Sequence, residues 1–523
     1  MKPWLVCLFV VALGLRIPHI GGPLRWEERD LVPGLRDISL SPRSFYLPPK
    51  VGDHTPLAVI AAWPLYRMAP HDPWVLRVPS LLAGALIPVL VAWSLWRWAN
   101  PAAGLVAGLL AASNNFLIAW SAYFMQEMLY LLFGIVGFML VLRAEYRRST
   151  VEALGAAALL ALSFWTHEFA LLLAPMAGLY LLASSQSRRW LRTPGPWVAV
   201  LLWGILIMPY FAWNLGARER FATLGGISIA QQHIASTVLA KRAINGRFME
   251  FLIGGGLSDI RKWPRFELNH VDPAMGAILL AASAACLITH RANPLVRLCL
   301  VAFWFLVAVF SFIDLEFRIY RFSLCLVTGC VMAGVVLGGL WRRKRLRPVV
   351  MLILCYALVS GAMARPCAGG AAHEGFRWWG KGPLFQESSL IDTVVAAQRS
   401  TPASLILMPA PFWDHIPLRL EYEAGARCVG GSREMIYGST FLMRPYRADE
   451  ACAPRIVVSC QEDVMSWWEF MQQNGYETSM TRHDMAFAGA LEDTLFPCPV
   501  FFIDGRTDSP PPVQIFLDQI YRR

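Results

Sequence analysis

The chain has 523 residues, 56% of them hydrophobic and only 16% charged, with a mean hydropathy of +0.45 and a formal charge of +11. A soluble globular chain carries roughly 25% charge, so this one lacks the residues needed to cover a water-facing surface. That excludes intrinsic disorder and a single soluble domain and points to several membrane spans; the positive charge does not imply nucleic acid, because Lys and Arg gather in cytoplasmic loops.

Stretches of predominantly apolar residues long enough to be read as spans occur at 4–20, 76–96, 102–120, 125–143, 152–166, 168–185, 196–214, 273–289, 296–313, 322–341 and 347–364. The first is kept as a span rather than a signal peptide, since Arg16-Ile17-Pro18-His19 follows it where small residues would mark a cleavage site. With Lys2 in the cytoplasm, Arg97, Arg143, Arg147-Arg148, Arg188-Arg189, Arg192, Arg291, Arg297 and Arg342 to Arg347 all fall on the cytoplasmic side. One topology therefore accounts for every short basic loop, and it leaves the C-terminus outside.

Three longer segments then lie outside, at 21–75, 215–272 and 365–523. The first is rich in Pro, Trp and His and reads as short interfacial helices. The second holds Gly254-Gly255-Gly256, a flexible spot suited to a lid. In the third, 404–408, 455–459 and 499–503 read as buried strands and 463–473 as a helix, the alternation of a small α/β domain. Cys367, Cys428, Cys452, Cys460 and Cys498 lie in this region, where disulfides can form, while the other six cysteines read as small apolar residues of the spans. Gly375 to Gly382 mimics a phosphate loop. It lacks the Ser or Thr that would hold magnesium and carries Trp378-Trp379 where phosphate must be wrapped closely.

The middles of the spans carry almost no charge, which argues against conduction through the core. Ionisable residues gather at the outer ends instead. Trp26-Glu27-Glu28-Arg29-Asp30 with Arg36-Asp37 could position a general base or a cation, or form a solvated loop with mutual salt bridges. Asp53-His54-Thr55-Pro56-Leu57 follows. Arg77 opens the second span and could hold a lipid phosphate or reach to the interface. Trp165-Thr166-His167-Glu168 forms a tight outer hairpin without the second His of a zinc protease, and Glu316-Phe317-Arg318-Ile319-Tyr320-Arg321 adds two cations before the tenth span. Such an end suits a lipid phosphate lying between spans.

In their order these motifs resemble GT-C glycosyltransferases of the protein O-mannosyltransferase type, in the bacterial branch that includes aminoarabinose and galacturonosyl transferases. The matches are Glu27-Glu28 with Arg36, His54-Thr55-Pro56-Leu57, Arg77-Val78-Pro79-Ser80, Thr166-His167-Glu168 through Pro175, and Arg321-Phe322, together covering 1–345. Glu27 stands where the family has Asp, and Thr55 where it has Pro. The resemblance implies an α-helical polytopic membrane protein with about eleven transmembrane helices and a C-terminal extracytoplasmic α/β domain. The modules would be 1–365 and 366–523. It also implies transfer of a hexose or pentose from a polyprenyl-phosphate donor to a protein, lipid or glycan acceptor outside the cell membrane, with inversion. Glu27 and Glu28 would be the catalytic carboxylates. Arg77, His167, Arg321 and Arg318 would bind the donor phosphate, and Arg36, His54 and Glu168 would serve the acceptor and its loop. Some relatives bind a divalent cation; no ligand set in this sequence demands one. A transporter of lipid-linked sugars, with no covalent step, is the competing class.

Overall fold

The structure is a computed structural model that describes residues 2–20, 57–69, 73–123, 126–183, 185–215, 271–312, 323–363 and six strands between 406 and 503. The helices in chain order are α1 (Pro3–Gly14), α2 (Leu57–Met68), α3 (Pro73–Trp98), α4 (Pro101–Ala112), α5 (Asn115–Ser121), α6 (Glu127–Arg147) and α7 (Thr150–Thr166). They continue with α8 (Leu173–Leu182), α9 (Ser185–Trp190), α10 (Pro194–Leu215), α11 (Pro273–Thr289), α12 (Pro294–Phe312), α13 (Ser323–Arg342) and α14 (Arg347–Met363). An apolar helix occupies each stretch read as a span. Among the described residues, five helices have the length and composition to cross a membrane by themselves, and six if the bent pair α4–α5 counts as one. The remaining apolar helices are shorter, and one of them, α2, lies within the expected outer segment 21–75.

Local sequence explains where helices start and stop. Pro opens α1 and α4 at positions where its missing N–H costs nothing. Asn100, Asn114, Ser149 and Asp272 cap α4, α5, α7 and α11 through side-chain oxygens. Arg148, in the left-handed region at φ 52°, ends α6 and turns the chain into α7.

The expected single span 102–120 is instead broken. α4 stops at Ala112 and α5 leaves at 60°. The cause is local: the Asn114 side chain accepts from Leu117 N (3.1 Å), so it starts a new helix rather than continuing the old one. The expected span 168–185 likewise begins as a 3₁₀ turn, Glu168–Leu172, before α8.

Lipid tails are as apolar as leucine, so helices in a membrane associate through close packing and polar contacts. Gly334 and Gly338 of α13, four residues apart, lie against the α4 backbone. A Cβ at Gly338 would meet the Ala103 Cα at 2.6 Å, and one at Gly334 the Ala103 carbonyl at 2.7 Å. Side chains there would force the two helices apart.

Polar contacts sort to the two ends of the bundle. At one end the basic residues dominate. Arg143 and Arg147 pair with Glu152 (2.8 and 3.2 Å), Asn293 donates to the Trp98 carbonyl (3.0 Å), and the buried Glu145 carboxylate accepts from Tyr180 and Ser187. At the other end lie Arg16, Arg77, Asn115, Glu127, His167 and Asp272, all buried. Cys286, Cys299, Cys325 and Cys330 are buried free thiols as expected, whereas Cys7 and Cys355 sit on the outside of the bundle.

The C-terminal strands form one six-stranded sheet in the order β3-β2-β1-β4-β6-β5. They are β1 (Ile406–Met408), β2 (Cys428–Gly430), β3 (Arg444–Pro445), β4 (Ile456–Val458), β5 (Thr478–Ala486) and β6 (Leu495–Ile503). β1 to β4 pair in parallel, and β6 joins β4 and β5 antiparallel. The three expected strands are β1, β4 and the end of β6; the expected helix 463–473 lies outside the described residues.

Candidate functional site

Glu127 is the first residue of α6, and its carboxylate is buried (2% exposed). A helix N-terminus carries partial positive charge, which favours an acid there. Facing it is His167, the residue that ends α7 and begins the 3₁₀ turn Glu168–Leu172. Its backbone is extended (φ −156°, ψ 128°), so the chain reverses while the imidazole stays inside, also 2% exposed. His167 Nε2 lies 3.5 Å from Glu127 Oε1.

The backbone sets the imidazole's tautomer. The Phe169 N–H donates to His167 Nδ1 at 3.0 Å, which occupies that nitrogen's lone pair. In the neutral ring the proton therefore sits on Nε2, the atom turned toward Glu127. At 3.5 Å the N–H···O contact is longer than a closed charge-assisted hydrogen bond, which runs about 2.7–2.9 Å. Glu168 approaches from the other side, Oε2 3.8 Å from Nδ1, so the imidazole stands between two carboxylates. Tyr130, one turn into α6, holds its ring 5.5 Å from the imidazole, and Ser163 Oγ donates to the Tyr130 carbonyl (2.7 Å), locking α6 to α7.

Arg77, in the first turns of α3, is 1% exposed, and its Nη1 donates to the Ile20 carbonyl (2.8 Å). It thus ties α3 to the connector after α1. Of the residues singled out from sequence, Arg77, His167 and Glu168 are found at this end of the bundle. Glu27, Glu28, Arg36, His54, Arg318 and Arg321 lie outside the described residues, as do Gly254 to Gly256 and the phosphate-loop mimic.

Sequence reasoning missed Glu127. It sits in Met125-Gln126-Glu127-Met128, and one acid at the start of an apolar run reads as a helix-start residue. The signal available was an ionisable residue within a span's first turn, which in membrane proteins marks function. Among the described residues no three His, Cys, Asp or Glu side chains are grouped to hold a metal ion.

A family model described as dolichyl-phosphate-mannose-protein mannosyltransferase matches residues 53–213, the stretch that contains Arg77, Glu127, His167 and Glu168. No curated protein matches the chain. The fold is shared with ArnT from Cupriavidus metallidurans. The apo structure aligns at a TM-score of 0.60 and 14% identity over 95% of this chain and 97% of that one. The structure bound to undecaprenyl phosphate aligns at 0.59 and 14% over 95% and 98%. The archaeal oligosaccharyltransferase AglB from Archaeoglobus fulgidus, in complex with an inhibitory peptide and a dolichol-phosphate, aligns at 0.48 and 12% over 97% and 75%. The family match and the shared ArnT fold bear out the resemblance to GT-C glycosyltransferases of the protein O-mannosyltransferase type, in a multi-pass membrane protein.

Proposed function

We propose that the protein is a membrane glycosyltransferase that moves a sugar from a polyprenyl-phosphate donor to a protein, lipid or glycan acceptor on the outer face of the cell membrane. The observation that carries this reading is the buried Glu127–His167 pair, with half-buried Glu168 beside it, at the less basic end of the bundle, within the segment that matches the mannosyltransferase family. A sealed acid–imidazole pair is costly for a merely structural contact and suited to proton and charge handling. The undecaprenyl phosphate bound by ArnT, whose fold the chain shares, supports the donor class.

In the proposed reaction the acceptor hydroxyl gives its proton to a carboxylate, Glu27 by the motif order, with Glu28 beside it. The acceptor oxygen bonds to the anomeric carbon as the carbon–oxygen bond to phosphate breaks. The polyprenyl phosphate leaves with the electron pair, and the anomeric centre inverts. Arg77, Arg318 and Arg321 would hold that phosphate, with the His167 Nε2–H as a neutral donor. Charge grows on the leaving group, so fixed donors there act differentially on the transition state. Arg36, His54 and Glu168 would shape the acceptor side. Glu127 would hold the imidazole in place by facing its Nε2–H. The topology proposed is eleven spans with the N-terminus inside and the C-terminal α/β domain, residues 366–523, outside.

A transporter of lipid-linked sugars would explain the spans and could use the acid–imidazole row as a proton relay, but it leaves the order of the motifs and the mannosyltransferase-family match over residues 53–213 without a role. Purified protein in detergent separates the two, because detergent has no sides. Formation of glycosylated acceptor and free polyprenyl phosphate supports the enzyme. Movement of donor across vesicles with no product on any acceptor class would replace it with the transporter.

A further inference from the structure

Arg16 is fully buried in a membrane bundle, and among the described residues no carboxylate lies within ion-pair distance of it. A buried cation needs counter-charge. Here two helix ends supply it. Arg16 Nη1 donates to the Ala12 carbonyl in the last turn of α1 (2.8 Å) and to the Ala112 carbonyl, the last residue of α4 (3.0 Å). Each helix C-terminus carries roughly half a negative charge, so the two offset much of the guanidinium charge, although both contacts are made by Nη1 and the buried Nε and Nη2 find no hydrogen-bond partner among the described residues.

The position of this contact matters more than its charge. Ala112 is the residue at which the broken span bends, and α5 is buried at every residue from Asn115 to Ser121. The far end of α5 returns to the same place. Gly84 of α3 is so close to Ser121 that a Cβ there would lie 2.2 Å from the Ser121 Cβ and 3.3 Å from Arg16 Nε. Arg16 therefore stands beside both the beginning and the end of α5. From Ser121 the chain runs only six residues to Glu127. The break is held from the opposite side by α14, where Asn115 Nδ2 donates to Ser360 Oγ (3.1 Å) and Gly361 lies against the Ser113 carbonyl.

Resting on the glycosyltransferase reading of the Glu127–His167 end, we infer that Arg16 is a positioning residue. By clamping the break between α4 and α5 it fixes where Glu127 meets His167, without touching substrate itself.

The test uses the full-length protein in detergent with Arg16→Met and Arg16→Lys. Arg16→Met should lower kcat roughly 10- to 100-fold, as displacement of a reacting group by about an ångström does, with donor KM within about twofold. Arg16→Lys keeps charge and one donor, and should fall between Arg16→Met and the wild type. A second measurement is independent of turnover. His167 is sealed, so diethyl pyrocarbonate should modify it slowly, read by mass spectrometry of its peptide. Arg16→Met should speed that modification roughly 10-fold, while alkylation of the buried Cys330 in α13 stays unchanged. Should Arg16→Met not survive extraction, Arg16→Lys carries both measurements with the same signs. The inference is overturned if Arg16→Met leaves His167 as protected as before, or if Cys330 opens equally. It is also overturned if donor KM rises more than about tenfold at unchanged kcat, which would make Arg16 a phosphate ligand. If the wild type shows no transfer at all, the functional reading fails while the His167 measurement still decides the role of Arg16.

Discussion

His167 presents its Nε2 to the Glu127 carboxylate at 3.5 Å because the Phe169 N–H, donating to Nδ1, leaves no other place for the ring proton. One residue thus does two separable things: it caps a 3₁₀ turn through Nδ1 and offers a proton through Nε2.

That separation makes His167→Asn informative. Asn can still accept from the Phe169 N–H, so the turn should form and the thermal midpoint should move little. It cannot reach Glu127 with a ring N–H, and turnover should fall by about 100-fold. His167→Ala should lose the cap as well, at a further cost of about 0.5–2 kcal/mol of stability. Paired melting curves and rates would check this; equal stability loss in both variants would contradict the cap.

Glu27 carries the strongest expectation from motif order. Glu27→Gln keeps size and removes basicity, and should lose about 100-fold or more in turnover. Glu27→Asp, the family's residue, should keep part of the activity, and Glu28→Gln should be milder. If Glu28→Gln is instead the inactive variant, the motif register is off by one and Glu28 is the base.

Packing of α13 on α4 should be sensitive at Gly338. A Cβ there meets the Ala103 backbone at 2.6 Å, which no rotamer change relieves. Gly338→Val should destabilise by about 1–3 kcal/mol, the usual cost of overpacking. Gly339, with nothing within 4 Å of its Cβ position, should tolerate Ala; thermal melts in detergent compare the two.

How much of this was legible in the sequence varied with the physics behind each feature. Apolar runs and loop Arg residues located an apolar helix at each expected place, because burial in lipid dictates composition directly. The bend at Ser113-Asn114-Asn115 was masked by the hydrophobicity on either side, although three polar residues in a row marked it. Glu127 was passed over because its meaning comes from His167, forty residues away in the chain. Arg16 served only as an argument against a cleavage site, since nothing local shows that Ala112 would come to meet it. The spacing of Gly334 and Gly338 was passed over too, although two glycines four apart in an apolar helix are a signal of close helix packing.

The proposed orientation rests on loop charge, and a reporter can check it. Alkaline phosphatase fused after residue 523 should be active, as it folds only outside the cytoplasm. A fluorescent green fluorescent protein at the same site would reverse the assignment.

The most direct test of the account is the release of polyprenyl phosphate from a polyprenyl-phosphate sugar by purified protein, comparing wild type with Glu127→Gln. Gln keeps the shape and removes the charge that His167 faces. The account predicts acceptor-dependent release by the wild type and a rate lower by about 100-fold in a folded, monodisperse Glu127→Gln. A folded Glu127→Gln that releases polyprenyl phosphate at the wild-type rate would show that the Glu127–His167 end is not where the chemistry occurs.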